Sequence, residues 1–260
     1  STAPRHPVDF YTEKRPVNNI VLIVDESVRA DHLSLNGYGV PTTPILDDLK
    51  KRGFIKNWGI AVSGTTCSVT SNALMLTGVD QLPDTNYEVY RRPTIFRFAR
   101  VMNYKTHYFD GQVSQMWNGK SLDIPDYGDW TKADEIERSV ANVYEIDREI
   151  ARRIRQITST STGNFILVNK FGVHKPYTAS YPNDNNSAYI DNWFIPYDVN
   201  IDQETLIRQY DEAITYNTRG FFSGLLDGKP DDNTVYVYTS DHGQTLRENG
   251  SVVSHCSNTK

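Results

Sequence analysis

Short, almost continuously apolar runs alternate along this chain with longer amphipathic stretches. Asn19–Val24 (NIVLIV) has the pattern of a parallel strand buried on both faces. Thr106–Phe109, Phe165–Val168 and Thr234–Thr239 share it. Between them, apolar positions recur at helical spacing. Residues 134–157 carry Ile136, Val140, Val143, Ile150, Ile154 and Ile157, with Thr131 and Asp134 as a capping pair. Residues 202–226 stripe Leu206, Tyr210, Ile214, Phe221 and Leu225, and stop at Gly228 and Pro230. Shorter helices fit Pro44–Arg52, 68–77 and Pro93–Met102. This alternation predicts an α/β fold with a mainly parallel central sheet flanked by helices on both faces. Residues 1–18, punctuated by Pro4, Pro7 and Pro16, read as a lead-in to a single domain over 19–260. The polar stretches 110–130 and 173–200 are too long for simple connections and predict functional loops.

A length of 260 residues leaves room for a sizeable core. The charge balance, 32 acidic against 27 basic residues, argues against a nucleic-acid partner. No run approaches the roughly 18 apolar residues that cross a bilayer, and the start does not read as a signal peptide. Any membrane anchor would therefore lie outside this sequence. The two cysteines, Cys67 and Cys256, fit either a reduced pair or a single bridge.

Parallel sheets bind ligands beyond the carboxyl ends of their strands. That rule singles out Asp25-Glu26, Asp110 and Ser240-Asp241-His242. A carboxylate after a buried strand either caps the next helix or binds a cation. Adjacent Asp241 and His242 offer one oxygen and one nitrogen ligand, which suits zinc, and Gly243 lets the backbone turn away. The segment Ser63-Gly-Thr-Thr-Cys-Ser68 opens the 68–77 helix. A hydroxyl there either caps the helix or, beside a metal, becomes a nucleophile. His174, in Gly172-Val-His-Lys-Pro-Tyr177, and His255, thirteen residues after His242, are two further candidates.

The motifs in order resemble those of the alkaline phosphatase superfamily, and within it the bacterial phosphoethanolamine transferases. The segment 26–44 resembles theirs at Glu26, Arg29-Ala30, Ser34 to Tyr38, Thr42 and Pro44. Ser240-Asp-His-Gly-Gln-Thr-Leu-Arg-Glu-Asn-Gly250 followed by His255 is similar to their second metal motif. His174-Lys-Pro-Tyr177 and Tyr210-Asp-Glu-Ala-Ile214 are similar to a further loop and helix. The resemblance implies an alkaline phosphatase-like fold and one zinc ion on Glu26, Thr66, Asp241 and His242, with a second ion open to His174 and His255. Thr66 would be the nucleophile, and His174 and His255 would act on the phosphate. Gln112, Gln115 and Lys175 would bind substrate, in place of an Asn and a Lys of the family.

The implied reaction moves a phosphoethanolamine-type group from a phospholipid donor to a glycan or lipid acceptor through a phospho-threonine. It implies the periplasmic domain of an inner-membrane protein that modifies lipopolysaccharide. A phosphoglycerol transferase shares the same ligands and Thr. A sulfatase-like hydrolase or phosphodiesterase is a further alternative, although Cys67-Ser-Val-Thr-Ser71 lacks the Pro and Arg of the sulfatase motif. A non-catalytic domain of this fold is disfavoured by the complete ligand set. The resemblance also places Cys67 and Cys256 beside the same phosphate, leaving a disulfide or two buried thiols open. The superfamily usually continues with another strand beyond this sequence.

Overall fold

A computed structural model describes residues 4–9, 11–12, 14–80, 87–112, 128–183 and 200–251. Its centre is a parallel sheet in the order β3-β2-β4-β1-β5. The strands are β1 (Asn19–Asp25), β2 (Lys105–Asp110), β3 (Asp129–Thr131), β4 (Asn164–Asn169) and β5 (Thr234–Ser240). Four of them are the apolar runs of the sequence. The edge strand β3 is too short and too exposed to register in a hydrophobic pattern.

The described helices are α1 (Pro44–Lys51), α2 (Ser68–Thr77), α3 (Tyr87–Arg91), α4 (Ile95–Val101), α5 (Ala133–Glu137), α6 (Ile146–Thr160) and α7 (Gln203–Leu226). The period-two alternation of the strands sends side chains to both faces of the sheet. Val21, Ile23, Ile166 and Val168 pack with α1, α6 and α7. Ile20, Leu22, Phe165 and Leu167 pack with Phe96 and Ala99 of α4 and Leu76 of α2. Helices therefore cover both faces, as the alternation predicts.

The long helix expected over 134–157 is divided. α5 ends at Glu137, and a tight turn at Val143–Glu145 leads into α6. A reciprocal capping box causes the restart: Asn142 caps the turn while Glu145 accepts the Asn142 backbone N–H at 3.2 Å. Thr131, expected to cap, belongs to β3 instead. α7 begins at its Asp202 cap, whose carboxylate accepts Thr205 N at 2.7 Å. No helix of the described residues is long and apolar enough to cross a membrane.

Candidate metal centre

Central strands β1, β4 and β5 end together, and their last residues build the site. Glu26 follows β1, while Asp241 and His242 follow β5, with Asp241 N donating to Asp25 O at 2.9 Å. Glu26, Asp241 and His242 are all buried and each offers one ligand atom within 4.8 Å of the others. His242 Nε2 lies 3.5 Å from Glu26 Oε1 and 3.4 Å from Asp241 Oδ2. Three of the four expected ligands therefore converge.

Thr66 is exposed, whereas Ser68 Oγ donates to Glu26 Oε2 at 3.1 Å and lies 2.9 Å from His242 Nε2. Ser68 is the first residue of α2, whose N-cap is Cys67. Ser71 one turn later hydrogen-bonds the Asp241 carbonyl, as does Ser63 at 2.7 Å, so α2 is docked on the end of β5. This docking turns Ser68 toward the cluster, while Thr66 is exposed. The resemblance points to Thr66, two residues upstream of Ser68. The only signal for Ser68 was its place as first residue of the predicted helix.

Several features fit a divalent cation. Asp241 Oδ2 is buried and has no hydrogen-bond partner. Burial, with the Glu26 charge beside it, pushes the Asp241 carboxyl up to about 8. Burial also raises Glu26, against hydrogen bonds from Ser27 and Ser68. His242 Nδ1 donates to Gly243 O at 2.7 Å, which leaves Nε2 as the ligand atom facing the carboxylates. Around the end of β1 the fully or nearly fully buried acids are Asp25, Glu26, Asp147 and Asp241, against one buried lysine, Lys170. A cation would offset that excess of negative charge, and two carboxylates, an imidazole and a hydroxyl suit zinc.

The loop after β1 is shaped for this purpose. Ser27 has φ +60°, a left-handed conformation for a residue with a side chain. It aims Ser27 N at Asp241 Oδ1 (3.1 Å), while Ser27 Oγ donates to Glu26 Oε1 at 2.6 Å. Tyr210 of α7 fixes the loop, accepting Arg29 N and donating to Ser27 O. The next residue, Asp211, binds His32 Nδ1 and Tyr38 OH, each at 2.8 Å. The Tyr-Asp motif of α7 thus anchors the segment that follows β1.

Asp25 does not join the cluster. Its Oδ1 accepts Glu26 N at 3.1 Å, and its Oδ2 accepts Lys170 Nζ at 2.6 Å and Tyr238 OH at 2.8 Å. Lys170 also reaches Asn217, whose amide donates to Asp147. Asp147 in turn accepts Phe171 N and Gly172 N at 2.8 and 2.9 Å. The Lys170 network, unforeseen in the sequence, ties β1, β4, β5, α6 and α7 beneath Glu26.

Gln112 reaches the cluster as a neighbour of Glu26: its Nε2 donates to Glu26 Oε2 at 3.3 Å and to Lys170 O. His174 follows Val173, whose N–H donates to Glu26 O at 3.1 Å. The His174 ring is half-buried with Nδ1 donating to Lys175 O at 2.7 Å. Burial lowers its basicity, and the charge of Lys175 adds to this while that of Asp241 opposes it. Lys175 is half-buried beside it. Gln115, His255 and Cys256 lie outside the described residues. Cys67 is disulfide-bonded, and the chain has one other cysteine, Cys256.

Known proteins share the family and the fold of this chain. The family model described as Sulfatase matches residues 18–260. The phosphoethanolamine transferase EptC of Escherichia coli is 24% identical over 233 residues, 87% of this chain and 40% of that protein. The Kdo(2)-lipid A phosphoethanolamine 7''-transferase of Escherichia coli is 23% identical over 254 residues, 94% of this chain and 43% of that protein. The chain thus spans about two-fifths of the length of these curated relatives. Among solved structures, the zinc complex of the C-terminal periplasmic domain of EptC from Escherichia coli superposes with a TM-score of 0.73 at 20% identity, over 96% of this chain and 72% of that one. The soluble domain of lipooligosaccharide phosphoethanolamine transferase A from Neisseria meningitidis gives 0.75 at 20% identity, over 99% and 77%.

Proposed function

The chain belongs to the sulfatase family of the alkaline phosphatase superfamily and resembles its phosphoethanolamine transferases, and from that premise we propose a zinc-dependent phosphoethanolamine transfer with Ser68 as nucleophile. The observation that carries this reading is Ser68 Oγ within 3.1 Å of Glu26 and 2.9 Å of His242, both buried ligand candidates. Glu26, Asp241 and His242, with the Ser68 hydroxyl, would hold the ion. Bound there, it would supply Lewis-acid stabilisation to the hydroxyl and to phosphoryl oxygens.

The residues of the chain account for the rest. Ser68 Oγ forms a bond to the phosphorus of a phospholipid donor, and the bond from phosphorus to the diacylglycerol oxygen breaks. His174, kept neutral at neutral pH by burial, takes the serine proton and returns it to that leaving oxygen. A glycan or lipid hydroxyl of the acceptor then displaces Ser68, whose oxygen regains a proton. Gln112 keeps Glu26 oriented by its hydrogen bond, and the Asp25–Lys170 pair fixes the backbone below. His255 would act on the phosphate, as the resemblance implies. The chemistry depends on position and charge stabilisation, as phosphoryl transfer generally does.

One solved neighbour is a C-terminal periplasmic domain and another an integral membrane protein, and the bonded Cys67 suits an oxidising compartment, so we place the reaction in the periplasm at the inner membrane. A sulfatase using Cys67 is disfavoured, because a bonded sulfur cannot serve as the precursor of an aldehyde. Mass spectrometry of zinc-loaded protein incubated with phosphatidylethanolamine tests the reading. A phosphoethanolamine adduct on Ser68 with release of diacylglycerol is expected. An adduct on another residue, or none with no diacylglycerol released, contradicts it.

A further inference from the structure

Beyond the metal ligands, one acid of the same sheet edge has no counter-charge among the described residues. Asp110 ends β2, in register with Asn169 of β4 and through it with Val24 of β1. Its Oδ1 is used, accepting Gln112 N at 3.1 Å and Asn169 Nδ2 at 3.3 Å. Its Oδ2 has no partner among the described residues, and no cation of those residues pairs with it. The lysine next in sequence to Asn169 is committed elsewhere: Lys170 Nζ is held by Asp25. Asn169 Oδ1 is buried and has no hydrogen-bond partner either. One buried acceptor, Asn169 Oδ1, thus stands without a partner beside an anionic residue, Asp110, whose Oδ2 is unpaired among the described residues.

A buried acceptor without a partner is costly, and a ligand with several N–H donors and a positive charge can satisfy it together with the carboxylate beside it. The place is right for such a ligand. β4 separates β2 from β1, so Asp110 sits about 10 Å to the side of β1 at ~4.8 Å per strand spacing. Gln112 bridges the gap, since its backbone binds Asp110 and its side chain binds Glu26. Gly111 keeps the connection tight: a Cβ there would stand 2.7 Å from Phe171 N and 3.0 Å from Asn169 O. A phosphoryl group at Ser68 carrying a short amine-bearing arm can extend along Gln112 toward this pair.

We propose that Asp110 and Asn169 recognise the primary ammonium of the transferred headgroup, and so select an aminoalkyl phosphodiester over one ending in a neutral polyol. The ammonium donates to Asp110 Oδ2 and Asn169 Oδ1 and neutralises the carboxylate. Burial raises the Asp110 carboxyl to about 6, as expected of an acid lacking its cation. This assignment rests on the transfer reading above and adds the chemistry that separates an ethanolamine from a glycerol headgroup.

Calorimetric titration of the zinc-loaded chain with phosphoethanolamine and, separately, glycerol 1-phosphate tests it. The wild type should bind phosphoethanolamine at least about tenfold more tightly, the scale of one charge-assisted hydrogen bond. Asp110→Asn, which keeps the shape, should collapse the ratio toward one and leave glycerol phosphate binding unchanged. An unchanged preference in Asp110→Asn, or an equal loss for both ligands, overturns the proposal. Turnover of phosphatidylethanolamine is followed in parallel. Its absence in the wild type, with the binding preference intact and lost in Asp110→Asn, would sink the transfer reading and leave the amine subsite standing.

Discussion

Asp25 and Glu26 are adjacent in sequence, yet their carboxylates serve opposite ends of one device: Glu26 faces Ser68 and His242, while Asp25 is bound to Lys170 and Tyr238. The link between them is the hydrogen bond from Glu26 N to Asp25 Oδ1. Two acids at a strand end suggest paired metal ligands. Here a buried lysine claims one of them, and that acid orients the backbone of the other.

Removing the lysine should therefore be severe. Lys170→Met leaves Asp25 buried without its cation, and loss of one partner of a buried pair costs about 3–5 kcal/mol. Adding Asp25→Asn to Lys170→Met should recover part of that loss. Denaturant unfolding of the two variants checks the order. Equal stability of Lys170→Met and wild type would show that the pair contributes nothing.

Gly172 lies against the same link. A Cβ there would stand 2.7 Å from both Glu26 Cβ and Glu26 N, and its φ of +64° already disfavours a side chain. Gly172→Ala should lower stability by roughly 1–3 kcal/mol through crowding and backbone strain. Because the crowding falls on Glu26, zinc affinity should fall as well, measured by competition with a chelating dye. A variant that loses stability while keeping wild-type zinc affinity would separate Gly172 from the cluster.

Much of this fold was legible because a parallel sheet writes itself as apolar runs, and β1, β2, β4 and β5 all matched theirs. Glu26, Asp241 and His242 were legible because their residue types stand directly after such runs. Ser68 was not, since which hydroxyl of Ser63–Ser68 enters the cluster depends on how α2 docks on Asp241, a tertiary contact made by Ser63 and Ser71. Lys170 was equally hidden, because nothing local marks a lysine after an apolar strand as fully buried. The break between α5 and α6 turns on the Asn142–Glu145 box, which an apolar stripe running through both helices conceals.

Stability should depend on pH through Asp110. Its carboxyl rises from 3.8 to about 6 on folding, so the folded state prefers it protonated. That preference costs nothing below the usual value and is fully unfavourable once pH exceeds about 6. Asp110→Asn should thus stabilise the metal-free chain by on the order of 1–3 kcal/mol at pH 7–8 and by little near pH 4. Unfolding at both pH values checks the sign. A gain of equal size at both would mean that ionisation is not its source.

Chelation should destabilise the protein. A cation bound only by the folded state adds about 2.7 kcal/mol at a hundredfold excess over its Kd. Adding zinc to stripped wild type should raise the melting temperature, and the rise should disappear in Asp241→Asn, which removes a buried charged ligand. A rise of the same size in Asp241→Asn would place the ion elsewhere.

Ser68, rather than Thr66, is expected to be the hydroxyl that attacks phosphorus. Ser68→Ala and Thr66→Ala, each zinc-loaded, should be assayed for diacylglycerol release from phosphatidylethanolamine, with melting temperature recorded beside it. Ser68 is not the N-cap of α2, so neither change should unfold the chain. Ser68→Ala should lose release by at least about a thousandfold and form no covalent adduct, while Thr66→Ala keeps both within a few-fold of wild type. Loss in Thr66→Ala with turnover and adduct intact in Ser68→Ala would contradict the account.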